Sequence, residues 1–157
     1  MVNMKRVNFL ILGVLVFTAF SFIDARAQPG RKSVPASEVN GTFRMNFTGR
    51  FKGSSNDIKI WALGGGKLHI AMELMYPMMV RGELSANTGE LDGTATIKGD
   101  TAVYESSEFG PCKITINFVR PGLIKVGQEG TDSDCGFGHN VMATGTYRKV
   151  SSLKPKF

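Results

Sequence analysis

From Cys112 to Phe118 every second residue is apolar, and this alternation constrains the fold more than any other feature of the chain. Cys112, Ile114, Ile116 and Phe118 fall on one face; Lys113, Thr115 and Asn117 fall on the other. A period of two is the mark of a strand with one buried face. Arg120-Pro121-Gly122 follows. Proline presets φ and glycine accepts positive φ, so the chain turns there. It resumes over 123–129 with Ile124 and Val126 inward, which makes an antiparallel hairpin.

The same pattern recurs along the chain. Strands are expected over 41–49, 57–63, 67–75, 79–85, 90–98, 101–105, 112–118, 123–129 and 141–150, about nine in all. Gly64-Gly65-Gly66, Asn87-Thr88-Gly89 and Gly99-Asp100 read as turns, and Tyr76-Pro77 as a break. No convincing amphipathic helix stands between the strands. Many short strands at spacings of about 8–12 residues indicate an all-β sandwich or barrel. Sequential hairpins favour an up-and-down antiparallel β-barrel of eight to nine strands. Segments 41–49 and 141–150 are the terminal strands and carry no obvious edge protection, so they are expected to pair and close it.

The N-terminus points to export. Lys5 and Arg6 precede an apolar run from Phe9 to Ile23, and Ala25-Arg26-Ala27 offers small residues at −3 and −1. This is the pattern of a signal peptide over 1–27, cleaved before Gln28. The run is short of the roughly 20 residues a spanning helix needs. No cysteine lies near the cleavage site for a lipid anchor, so no stable membrane anchor is expected after cleavage. The expected location is periplasmic or secreted. In such a compartment two cysteines favour a bond, Cys112 to Cys135. Residues 28–39 read as a flexible lead-in, 40–150 as the barrel domain and 151–157 as a basic tail.

Charge narrows the partners. The chain carries a formal +6, and losing Lys5, Arg6, Arg26 and Asp24 leaves +4. Between Ser37 and Val150 basic and acidic residues balance. A nucleic-acid groove needs a basic stripe on the folded surface, so a nucleic-acid partner is not expected.

No set of nucleophile and base stands out, and the chain is read as binding rather than catalysing. Gly64-Gly65-Gly66 lacks the Lys-Ser/Thr and the helix of a phosphate loop. Asp132, Asp134 and His139 share the glycine-rich loop 130–140, with Glu129 nearby. Their spacing matches no calcium loop, and they read as a polar loop rather than a metal site; no cofactor is expected. Met72, Met75, Met78 and Met79 read as core or as the lining of an adaptable apolar site rather than a copper site. Phe137, between Gly136 and Gly138, is either an exposed anchor for a partner or a plug in the barrel end. The partner-binding candidates are therefore Asp132, Asp134, Phe137 and His139. The rival reading is a lipocalin-like carrier of a small apolar ligand, because Gly93, Ala95, Ala143 and Gly145 are small and inward.

Glu108-Phe-Gly-Pro-Cys112, Cys135-Gly-Phe-Gly-His-Asn-Val141 and Gly145-Thr-Tyr-Arg-Lys149 resemble a pattern in small secreted bacterial proteins, most of them uncharacterised. In general build the chain is also similar to bacterial inhibitors of lysozyme, small exported β-barrels with a disulfide. That resemblance implies a protein partner. The chain departs from those inhibitors at Ala143-Thr-Gly-Thr-Tyr147, where a serine-glycine loop would stand, and in its neutral body.

Overall fold

The computed structural model describes residues 31–157; the signal-peptide expectation lies outside them. Eight antiparallel strands form a closed barrel in chain order. They are β1 (Gly41–Asn46), β2 (Ser55–Gly64), β3 (Lys67–Val80), β4 (Glu83–Lys98), β5 (Thr101–Ser106), β6 (Cys112–Arg120), β7 (Leu123–Glu129) and β8 (Gly145–Ser151). Closure runs through β1 and β8, with Phe43 opposite Lys149 and Arg44 opposite Arg148.

The alternation places the core. Phe43, Ile58, Ile60, Leu68, Ile70, Met72, Ile114, Ile116, Phe118, Ile124, Val126 and Tyr147 point inward and are buried. Burying one such side chain contributes about 1.5–3 kcal/mol. Phe43 and Phe118 meet edge to face with centroids 6.4 Å apart, a favoured arrangement for two quadrupoles. Tyr147 carries the one polar tip among them, and its hydroxyl donates to the Ala143 carbonyl at 2.8 Å. Burial pushes that phenol up to about 12.

The small inward residues are filled over. A Cβ on Gly93 would meet the Tyr104 ring at 2.5 Å, and one on Gly145 would meet the Met45 sulfur at 2.5 Å. At these two positions a large neighbour occupies the space a side chain would take, and Ala95 and Ala143 are fully buried.

Nine expected strands become eight because 79–85 and 90–98 belong to longer elements. β3 runs unbroken through Tyr76-Pro77 to Val80, and β4 runs unbroken through Asn87-Thr88-Gly89. The turn between them is Arg81-Gly82, with φ of 52° and 88°. Positive φ at both central residues suits a two-residue hairpin.

The barrel's two ends differ. At the turn end lie the β2–β3, β4–β5 and β6–β7 connections. A short helix, α1 (Ala36–Val39), sits there with Val39 buried. In the segment leading into it, Arg31 donates from its backbone to Asp100 (3.0 Å) and from its guanidinium to Glu38 (2.6 Å) and the Phe118 carbonyl (2.5 Å). Lys149 donates to the Ser37 and Asn40 carbonyls, both at 2.8 Å. The C-terminal tail lies on the outer wall, where Phe157 stacks on His69 at 3.8 Å and the Lys154 amine sits 5.6 Å from the Trp61 ring. At the other, loop end lie 47–54, the β3–β4 tip, 107–111 and 130–144.

Candidate functional site

The loop end is built on the disulfide. Cys112 opens β6 and Cys135 sits in a 3-10 turn, Ser133–Cys135, with Cα atoms 4.9 Å apart. The bond fixes the 130–140 loop against the base of the hairpin. Two carboxylates then shape the loop from within. Asp132 accepts from the Ser133 and Asn140 backbone N–H groups at 2.7 and 2.5 Å. Asp134 accepts from the backbone and hydroxyl of Thr131 at 2.8 and 2.7 Å. Hydrogen bonds to the charged form favour it. The Asn140 amide first, and then Ser133, hold Asp132 below the ordinary carboxylate value. The Thr131 amide does the same for Asp134.

Phe137 is the plug of the two alternatives. Phe137 is 6% exposed, and its side chain rests on Gly89, where a Cβ would come within 2.8 Å of it. The loop is stitched to β4 around it: Gly138 N–H donates to the Thr88 carbonyl at 3.0 Å, and the Asn87 side chain donates to the His139 carbonyl at 2.7 Å. Of the four candidates, Asp132, Asp134 and Phe137 thus hold the loop together. Buried as it is, Phe137 has little surface to offer a partner. His139 alone is fully on the surface.

The exposed apolar surface lies next to this loop, on a feature the sequence reading missed. β2 pairs with β3 only as far as Asp57 opposite Glu73, while β3 and β4 pair on to Val80 opposite Glu83. β4 pairs with β5 only over Thr96, Ile97 and Lys98. The β3–β4 hairpin therefore leaves the barrel wall as a two-stranded ribbon. Buried Asn56, in β2, marks the departure point: its side-chain oxygen accepts from the Met75 backbone N–H at 2.8 Å, beyond the last backbone pairing of β2 with β3. Met79 and Leu84 form a cross-strand pair on one face of the tip; Tyr76 and Val80 lie on the other. All four are exposed, Leu84 at 58%. Phe109, 65% exposed, stands on the adjoining loop beside Gly136. The clustered methionines were the available signal, but they read as core or as the lining of an apolar site.

The flank toward β5 is acidic. Glu90, Asp92, Glu108 and Asp134 surround a slot of about 110 Å³ where β4 and β5 part, floored by the disulfide. Among the described residues no group of three or more His, Cys, Asp or Glu side chains is placed to hold a metal, and no helix is long and apolar enough to cross a membrane. Comparisons with protein-family models, curated proteins and solved structures find no match.

Proposed function

We propose that this is an exported, non-catalytic protein-binding module that grips a protein partner at its loop end, in the manner of an inhibitor. The observation that carries the reading is the ribbon: Tyr76, Met79, Val80 and Leu84 are held out in water on both faces of a hairpin that leaves the barrel. Large apolar side chains grouped at a protruding tip mark interaction surfaces. The ribbon also carries open strand edges, which suit pairing with an extended segment of a partner. The disulfide-pinned loop supports it from behind, so little order has to be gained on binding. The filled interior weighs against the carrier alternative. Export accords with the disulfide.

The test is capture from the native envelope by residues 28–157 and by the double variant Met79→Ser, Leu84→Ser. Both positions are exposed, so the variant should keep the parent melting temperature. The reading expects a protein captured by the parent and lost, by tenfold or more, with the variant. Equal capture by both, or recovery of a small apolar molecule alone, contradicts it.

A further inference from the structure

The balance of charge along the sequence hides a sorting of charge in space. Of the carboxylates among the described residues, Glu38 and Asp100 lie at the turn end, and both are engaged by Arg31. Arg50, Lys52 and Arg81 are exposed at the loop end, but more of the unpaired basic residues lie at or toward the turn end. Lys32, Lys67, Lys98, Arg120, Lys125 and Arg148 are all exposed, and none of them takes part in an ion pair among the described residues.

Three of these cations share one face. Arg120 stands opposite Leu123, Leu123 opposite Arg148, and Lys125 between Asn117 and Thr146. They form a patch on the outer surface of β6, β7 and β8. The nearest carboxylates by register are already occupied. Glu129, at the far end of the same wall, pairs with Lys113 at 2.9 Å. Asp57, across β1, gives both oxygens to Arg44 at 2.7 and 2.6 Å. Aliphatic side chains are interleaved with the cations. Val119 and Val150 are 54% and 53% exposed at the same end, where the Lys149 backbone N–H donates to the Gly122 carbonyl and holds β8 against the β6–β7 turn.

We infer that the β6–β7–β8 face at the turn end docks reversibly on a membrane surface bearing anionic phospholipid headgroups. Cations without protein partners are drawn to such a surface, and each contributes roughly a fivefold gain in affinity near it. Exposed valines between them can enter the headgroup layer, where a purely charged patch would stay outside. A docked barrel would turn its loop end, and the β3–β4 ribbon, away from the lipid and toward other molecules. The interaction needs no spanning segment and is independent of what the ribbon binds.

The test is co-sedimentation of residues 28–157, which hold the whole barrel, with vesicles. One set contains phosphatidylcholine alone; the other contains phosphatidylcholine with a third phosphatidylglycerol. Binding should appear only with phosphatidylglycerol and should weaken steeply as salt rises. The triple variant R120Q/K125Q/R148Q should lose about 100-fold in affinity, the product of three such contributions. The charge-preserving variant R120K/R148K should bind as the parent does, which separates lost charge from lost folding. Val119→Ser with Val150→Ser should weaken the binding that survives at high salt. Absence of binding to phosphatidylglycerol vesicles at low salt overturns the inference. So does undiminished binding by the triple variant. Heparin binding without vesicle binding also overturns it, since the face would then serve a soluble polyanion.

Discussion

Single side chains at the loop end hold more of this molecule than their surface position suggests. Phe137 is a core residue supplied by a loop, and Phe137→Ala should destabilise the barrel by about 3–5 kcal/mol, measured by urea denaturation. Cys135→Ser removes the constraint that pins the same loop. It should cost about 2–5 kcal/mol, and an unchanged melting temperature under reducing conditions would count against that role. Asn56→Ala leaves the Met75 N–H without its acceptor and should cost about 1–3 kcal/mol. The loop should also sense acid. Asp132 and Asp134 both have folded values lowered from the ordinary 3.8. Their contribution is therefore present above that value and is lost as pH falls through the lower folded one. Protection of the Thr131, Ser133 and Asn140 amides, taken relative to their intrinsic exchange rates, should fall over that acidic window and hold steady above it.

At the scale of elements, alternation was the legible signal and turn chemistry the misleading one. β6 and β7 follow their apolar pattern to within a residue or two, because each has one face in the core and one in water. Asn87-Thr88-Gly89 has the composition of a turn but lies inside β4. Asn87 and Thr88 bind the 130–140 loop, and Gly89 makes room for Phe137. A residue's service to a distant segment looks, in one dimension, like local punctuation. Pro77 misled in the same way: it stands in the ribbon beyond the end of the β2–β3 pairing. A proline at an edge forfeits no ladder bond on its open side. The ribbon itself was illegible because its apolar residues continue the core's alternation past the point where the core ends. Met79→Ser with Leu84→Ser should therefore change stability by no more than about 0.5 kcal/mol. The same pair of changes in β6, at Ile114 and Ile116, would unfold the protein.

The described residues form a closed barrel with two unlike ends. Closure was legible because both terminal segments alternate and carry no edge protection, although the last strand begins only at Gly145 rather than at Val141. The packed interior was not, because a small inward residue looks the same whether it faces a cavity or a neighbour's ring. Truncation after Asn140 removes β8 together with Val141, Ala143 and Tyr147. It should abolish the cooperative thermal transition seen by circular dichroism, whereas loss of a mere trimming strand would leave it in place. Charge adds an asymmetry that sequence summation concealed, with a cluster of unpaired cations toward the turn end and the apolar ribbon at the other. The central claim, that a protein partner is met at the loop end, is tested most directly by placing a photo-crosslinking amino acid at one position at a time in exporting cells. Positions 79 and 84 sample the ribbon, and position 115 samples the barrel wall. One discrete protein adduct is expected from 79 and 84 and none from 115. Adducts from 115 with none from the ribbon would contradict it.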